Sequence, residues 1–147
     1  MLTSMRANRP DEGFTLVELL VTLVILGILA AIAIPIFLHQ RQKAVDASEK
    51  ADAHSIAIEM ESYYTDDQAY PSSADYSFTA PAVTIGTEQV RMSPGNVPTT
   101  SVNAAGNAFC ISIDNPGKSS RSYVWQSDNG GLQSDPAADC SAYTTTL

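Results

Sequence analysis

A long uncharged apolar segment constrains this chain more than any other feature. The segment covers residues 19–38, and a single carboxylate, Glu18, directly precedes it. Twenty residues of helix span about 30 Å, the thickness of the hydrocarbon core of a bilayer. Burying a charged side chain there costs free energy, roughly 2.5–3.5 kcal/mol at mid-helix and less near an end. The segment therefore predicts a membrane-spanning helix in which Glu18 has a function and a partner.

The nearest cations do not provide that partner from within the helix. Arg6 and Arg9 lie upstream of Gly13, and Arg41 lies beyond the apolar segment. We therefore expect the partner of Glu18 to belong to another molecule.

The residues that flank the carboxylate form a dense motif. A polar leader, residues 1–13, ends in Gly13; Phe14 follows, then the sequence TLV, then Glu18, and Pro35 lies near the far end of the apolar segment. This combination resembles the class III signal peptide of type IV pilins and of the related pseudopilins.

The resemblance covers about residues 12–45 and implies a processing step. A prepilin peptidase would cut between Gly13 and Phe14 and would methylate the new amino group of Phe14. The apolar helix would then move from membrane lipid into a helical filament made of copies of the same chain. There Glu18 would pair with the methylated amine of a neighbouring copy and would set the filament register, because a mismatched register leaves unpaired charges.

The resemblance also implies a location and further partners. Before assembly the chain would be a single-pass protein of the cytoplasmic membrane with its leader in the cytoplasm. A pilus or secretion assembly platform would build the filament. The finished filament would be extracellular, or a pseudopilus in the periplasm or cell wall.

Other interpretations stay open. A pseudopilin of a type II secretion system or of a competence system for DNA uptake would share the leader and the helix, although the cysteine pair mildly favours a pilin. A secreted soluble domain would use Ala31-Ile32-Ala33 as a signal-peptide cleavage site and would start near Ile34. Against that alternative, the apolar segment exceeds the usual 7–15 residues and Glu18 interrupts its start.

The helix is predicted to continue beyond the membrane. Residues 39–67 are polar overall, but Ala53, Ile56, Met60 and Tyr63 recur at helical spacing, which is typical of an amphipathic helix packed on a sheet. A continuous helix over residues 14–65 would be about 78 Å long.

Two residues weaken the apolar half, residues 14–38. Gly27 costs up to about 1 kcal/mol relative to alanine, and Pro35 removes a helical hydrogen bond. We therefore expect a kink or local melting between them.

The remainder, residues 68–147, is predicted to form a β-rich head. Alternating apolar residues and turn signals favour strands at residues 76–79, 90–92, 109–114, 122–127 and 132–134. The predicted fold class is α+β, with the long helix packed on a small antiparallel sheet. Cys110 and Cys140 form an even pair, which in an exported domain predicts a disulfide and a closed C-terminal loop.

Charge and motifs argue against several other functions. The net charge of −8 disfavours nucleic acid as a direct ligand, because phosphate binding needs clustered Lys and Arg. His39 and His54 lie fifteen residues apart on the predicted helix, about 22 Å along its axis, so they cannot share one site. We find no nucleophile motif or phosphate loop and predict neither an enzyme nor a cofactor.

Calcium is the one ligand for which the head offers candidate residues. Asp128, Asp135 and Asp139, with Asn129, supply oxygens of the kind that calcium prefers. Their spacing matches no EF-hand, and residues 128–131 already make sense as a turn. We therefore predict no metal site and keep these residues as weak candidates.

Overall fold

One long helix begins the fold. In a computed structural model that describes residues 13–118, 121–133 and 138–147, helix α1 spans Leu16–Asp67. Its end is marked by Gln68, whose φ of 55° lies in the left-handed region and whose N–H donates to the Tyr64 carbonyl at 2.9 Å. A left-handed residue in this position is a common helix stop. The helix agrees with its predicted bounds to within two residues at each end.

The chain divides into two units, one that ends at His39 and one that spans Gln40–Leu147. In the first unit every described residue is exposed. The second unit joins the predicted β-rich region to the C-terminal half of α1, and from here on we call this whole unit the head. In the head, α1 has a buried stripe. The stripe repeats every three or four residues, as an amphipathic helix requires. It consists of Glu49, Asp52, Ala53, Ile56, Ala57 and Met60.

Within the described residues, eight strands form two antiparallel sheets. The first has the order β1-β2-β3 and the second the order β7-β6-β5-β4-β8. The strands are β1 Tyr76–Thr79, β2 Ala82–Ile85, β3 Glu88–Arg91, β4 Val97–Val102, β5 Phe109–Asp114, β6 Tyr123–Gln126, β7 Gly131–Leu132 and β8 Thr145–Thr146. In the centre of the second sheet, Ile111 of β5 is the cross-strand partner of both Thr100 and Trp125.

Both sheets and α1 contribute to one core. On β5 the alternate residues Phe109, Ile111 and Ile113 face this core, and each is fully buried. The opposite face of β5 carries Cys110, which lies in a second, smaller cluster with Val124 and Tyr143. Strand β5 thus contributes buried side chains to a cluster on each of its faces.

A polar network joins α1 to the segment between β3 and β4. The carboxylate of Asp52 accepts hydrogen bonds from the backbone N–H of Ser93 at 2.8 Å, from its hydroxyl at 3.1 Å and from Nδ2 of Asn96 at 2.6 Å. Oδ1 of Asn96 in turn accepts from Nδ2 of Asn115 at 2.6 Å. The buried charge of Asp52 is therefore satisfied, and this segment is held against the helix.

The α+β fold is confirmed, although the strands fall into two sheets rather than one. Strands β1 and β5 have their predicted bounds, and β3, β6 and β7 overlap predicted strands; Ser134 of the last prediction lies outside the described residues. Strands β2, β4 and β8 were not predicted. Strand β4 contains Pro98, which normally argues against a central strand. It is tolerated because β8 pairs with residues 101 and 102 of β4, and no strand among the described residues pairs with Pro98 on that side.

Candidate assembly site

The first unit exposes a continuous apolar surface. Phe14 and Leu16 are each 78% exposed, and every described residue before Gln42 is exposed. The most apolar stretch of α1 has a mean hydropathy of 2.9. Its length and composition are sufficient to cross a membrane.

Glu18 has hydrogen-bond partners inside its own helix. One oxygen, Oε2, accepts from the backbone N–H of Thr15 and from the Thr15 hydroxyl, each at 2.9 Å, and the Glu18 N–H donates to the same hydroxyl at 3.2 Å. This is a capping box, in which the N-cap residue and the third helical residue satisfy each other. Thr15 is therefore the N-cap of α1, and Glu18 is its reciprocal partner.

This cap modifies the expectation that every partner of Glu18 belongs to another molecule. Thr15 is uncharged, so it is not among the cations near Glu18, but the spacing T-x-x-E in the sequence is the signature of the motif. A carboxylate offers about four acceptor positions, so the cap leaves Glu18 able to accept from a cation as well. The predicted pairing with the amine of Phe14 on a neighbouring copy stays a prediction.

The two glycines of the first unit have no packing role in the described chain. A Cβ atom added at Gly13 or at Gly27 would meet nothing within 4 Å, and neither residue has a positive φ. Neither glycine is therefore required by the fold itself. The predicted cleavage after Gly13 stays a prediction. The rest of the predicted leader lies outside the described residues.

Helix α1 continues through Gly27 and Pro35 without a break. Pro35 still lacks the N–H that would bond to the carbonyl of Ala31. The predicted melting of this stretch stays a prediction for the assembled state.

The histidines lie in different units, and both are exposed. In the head, the rings of His54 and Trp125 form a T-shaped pair, with 5.3 Å between ring centroids. One turn earlier the ammonium group of Lys50 lies 4.8 Å from the ring centroid of Tyr123. Strand β6 thus directs its two aromatic residues toward one flank of α1.

Cys110 and Cys140 form the predicted disulfide, with 5.6 Å between their Cα atoms. The bond joins the central strand β5 to the C-terminal segment. Gln126 of β6 also holds this segment, because its Nε2 donates to the carbonyl of Asp139 at 2.8 Å.

The weak calcium candidates have protein partners. Asp128 accepts a hydrogen bond from the hydroxyl of Tyr143, and Asp139 accepts from the hydroxyl of Ser141 at 2.6 Å and from its N–H at 3.0 Å. The bonds from Ser141 lower the pKa of Asp139, whereas burial and the contact with Asp128 raise the pKa of Tyr143 to about 12. Asp135 lies outside the described residues. Among those described, no group of three metal-binding side chains occurs.

Comparisons with known proteins match both the N-terminal segment and most of the chain. Residues 8–34 match the family model of the prokaryotic N-terminal methylation motif. Over 103 residues the chain is 33% identical to the type IV wide pilus major component PilA4 of Thermus thermophilus, covering 70% of this chain and 72% of that relative. This chain belongs to the type IV pilin and pseudopilin family.

Other relatives in the family match shorter parts of the chain. The type II secretion system core protein G of Pseudomonas aeruginosa is 42% identical over 65 residues, which cover 44% of this chain and 46% of the relative. The type IV major pilin protein PilA of Myxococcus xanthus is 33% identical over 76 residues, 52% of this chain and 34% of the relative. No solved structure matches significantly. The relatives thus include pilins and pseudopilins, and the identities alone favour neither.

Proposed function

We propose that this chain is a structural subunit of a type IV pilus that polymerises through its apolar N-terminal helix. The observation that carries the proposal is the complete exposure of the first unit's apolar side chains. Such a surface is unstable in water, so it requires lipid or other apolar helices around it. Lipid surrounds it in the membrane, and the helices of other copies surround it in the filament.

The extent of the similarity to a pilin supports this choice within the family. A match of 103 residues in a chain of 147 cannot be confined to α1 and must include strands of the head. The matches to core protein G extend over 65 residues in one relative and 68 in another. The second candidate, a pseudopilin of a type II secretion system, rests on the higher identity of 42% in that shorter segment.

The proposal assigns three steps to the N-terminal residues. A prepilin peptidase cuts the bond between Gly13 and Phe14 and methylates the new amine. Lipid then solvates residues 14–38 until an assembly platform adds the subunit to the filament. On addition, Glu18 pairs with the amine of Phe14 on a neighbouring copy, and this ion pair sets the register rather than adding much net stability.

The first test is the N-terminal mass of the protein purified from its native host. We expect a chain that begins at Phe14 and carries one additional methyl group. A chain that begins near Ile34 would instead indicate a removed signal peptide, and the polymerisation proposal would fail.

Gly27→Ala provides a matched control for Gly13→Ala, because an added Cβ meets nothing within 4 Å at either position. We expect Gly13→Ala to accumulate uncut chain and Gly27→Ala to be processed normally. Normal processing of both variants would contradict the cleavage site. Electron microscopy then separates the two candidate functions, since a pilin gives long surface filaments and a pseudopilin gives none on the surface at native expression.

A further inference from the structure

The bond that we propose to be cut lies just outside α1. Gly13, Phe14 and Thr15 are all described, and none of them is helical. The helix begins at Leu16, and its first turn is closed by the Leu19 N–H, which donates to the Thr15 carbonyl at 3.3 Å. Phe14 and the cap residue Thr15 are thus all that separates the bond from the helix.

The cap occupies two N–H groups that a longer helix would need. In a helix each N–H donates to the carbonyl four residues earlier. If α1 began one residue earlier, the Glu18 N–H would donate to the Phe14 carbonyl, but it donates to the Thr15 hydroxyl at 3.2 Å. In a helix that began at Asp11, the Thr15 N–H would donate to the Asp11 carbonyl, but it donates to Oε2 of Glu18 at 2.9 Å. Both donors therefore hold the start of the helix in place.

Hydrolysis requires this bond to enter an enzyme in an extended backbone. Water adds to the carbonyl carbon of Gly13, the bond to the nitrogen of Phe14 breaks, and the products carry a carboxylate on Gly13 and a protonated amine on Phe14. An extended peptide binds a partner through its main-chain N–H and C=O groups. In a helix these groups are bonded to one another, and a helix that began two residues earlier would use the Gly13 carbonyl itself as an acceptor. A helical bond must therefore unwind before it is cut.

Loss of the cap would lengthen α1 rather than shorten it. In the proposed function lipid surrounds residues 14–38 before assembly, and apolar surroundings penalise every backbone group that lacks a hydrogen bond. Shortening the helix would leave more such groups, whereas lengthening it would pair them. The sequence also supplies Asp11 upstream of the bond, and aspartate is a residue type that caps helices. A helix that began at Asp11 would include the bond between Gly13 and Phe14.

We propose that the Thr15 cap positions the chain for cleavage, because it ends α1 and keeps the bond between Gly13 and Phe14 outside the helix for the prepilin peptidase. Thr15 is a positioning residue, since it acts through the backbone and takes no part in the chemistry. Independently of the hydrogen bonds, residues 8–34, which include both the bond and the cap, match the family model of the N-terminal methylation motif. The inference rests on the proposed function, since it concerns the same cut.

Substitutions of Thr15 separate capping from recognition of its shape. Thr15→Ser and Thr15→Asn differ in shape from threonine but keep a side chain that caps, whereas Thr15→Val keeps the shape and cannot cap. We expect purified prepilin peptidase to cut the full-length Ser and Asn variants in detergent at close to the rate of the unaltered chain. Thr15→Val should be cut about fivefold more slowly, which is the change in equilibrium that an N-cap residue controls. The readout is the initial rate at which the chain that begins at Phe14 appears in mass spectrometry.

Thr22→Val is the matched control. It removes the same hydroxyl from the same helix, where that hydroxyl donates to the Leu19 carbonyl at 2.9 Å and does not cap. We expect its rate of cleavage to be unchanged. Glu18→Ala is still cut, because the Thr15 hydroxyl can accept from the backbone N–H of any residue at position 18 except proline.

A spectroscopic measurement reports the helix start directly. In the uncut, isotope-labelled chain in detergent, the Cα chemical shifts of Gly13 and Phe14 should be non-helical in the unaltered protein and in Thr15→Asn. In Thr15→Val they should move toward helical values. A slower cut in Thr15→Val without this movement would mean that the peptidase contacts the hydroxyl itself, which overturns the inference.

The other outcomes separate this inference from the proposed function. If the unaltered chain is cut after Gly13 and Thr15→Val is cut equally fast, the cap has no role in cleavage and the pilin proposal stands. Fast cleavage of Thr15→Val with slow cleavage of Thr15→Asn would show recognition by shape, which also overturns the inference. An unaltered chain that is not cut after Gly13 would overturn both.

Discussion

The two halves of α1 differ in where their partners are. In the first unit the helix is apolar on all sides and wholly exposed, whereas in the head it has one buried stripe whose apolar residues pack in a core with both sheets. A stripe predicts a partner within the same chain, and an all-round apolar surface predicts lipid or other chains. The C-terminal half of α1 therefore packs within its own fold, whereas the N-terminal half is the surface that we propose for assembly.

Two carboxylates on α1 show the same difference. Glu18 is capped by Thr15, three residues away, and remains exposed. Asp52 is buried and bonds to Ser93 and Asn96, which are 41 and 44 residues away. The first carboxylate needs only local structure and keeps acceptor capacity for a partner. The second is satisfied only once the head has folded.

The largest expected effect is the loss of filaments on substitution of Glu18. We expect Glu18→Ala to be processed but to give few or no filaments. Glu18→Gln keeps the capping box, because glutamine can fill the same position, yet it lacks the charge. If charge pairing sets the register, both variants should fail alike in filament yield measured by electron microscopy.

The comparison between these two variants tests whether Glu18 acts by charge pairing between copies. Normal filaments from Glu18→Gln would mean that capping by Thr15, not pairing between copies, is the role of Glu18. Abundant filaments from Glu18→Ala would show that assembly needs neither the cap nor the charge pair. Thermal unfolding of the head should be unchanged in either variant.

The next effect concerns the stability of the head. Phe109 is fully buried between α1 and the sheets, so Phe109→Ala should lower the free energy of unfolding by about 3–5 kcal/mol. Leu23→Ala provides the control, because Leu23 is 68% exposed in the first unit and should leave head stability unchanged. Denaturant unfolding of the full chain in detergent, followed by Trp125 fluorescence, measures both. An equal loss of unfolding free energy in the two variants would contradict the expectation that the first unit does not contribute to the stability of the head.

Removing the disulfide should have a slightly smaller effect. The sequence separation is 30 residues, and closing a loop of that length stabilises a fold by roughly 3–4 kcal/mol. The double variant Cys110→Ala with Cys140→Ala avoids unpaired thiols, and the same unfolding measurement applies. A loss below about 1 kcal/mol would show that the bonds from Gln126 and the pairing of β8 hold the C-terminal segment without the disulfide.

The sequence was most informative where a local pattern determines the structure. The alternation over residues 109–114 predicts β5 correctly, and the spacing of Ala53, Ile56 and Met60 predicts the buried stripe of α1. Strand β4 could not be predicted in this way, because its buried residues Thr100 and Ser101 are polar and Pro98 lies within it, so the sequence shows no alternation of apolar residues.

The parts that the sequence did not predict depend on long-range contacts. Strand β8 has only two residues and exists because residues 101 and 102 of β4 pair with it. The bonds from Ser93 and Asn96 to Asp52 join positions that no local pattern relates. The Thr15 cap, in contrast, has a local signature, T-x-x-E, although a count of charged neighbours of Glu18 does not include it.

The smallest expected effect is a pH dependence in the C-terminal segment. Burial and Asp128 raise the pKa of Tyr143 from 10.0 to about 12, so the folded head favours the neutral phenol. Its contribution is complete below pH 10, where the phenol is neutral in both the folded and the unfolded chain, and decreases as the pH rises from 10 to about 12. Tyr143→Phe removes the hydrogen bond to Asp128 and should cost about 1 kcal/mol below pH 10. It should also flatten the alkaline loss of stability, measured by denaturant unfolding on either side of pH 10. An unchanged alkaline slope in the variant would assign that loss to other tyrosines, of which Tyr70, also with a pKa of about 12, is the first to test.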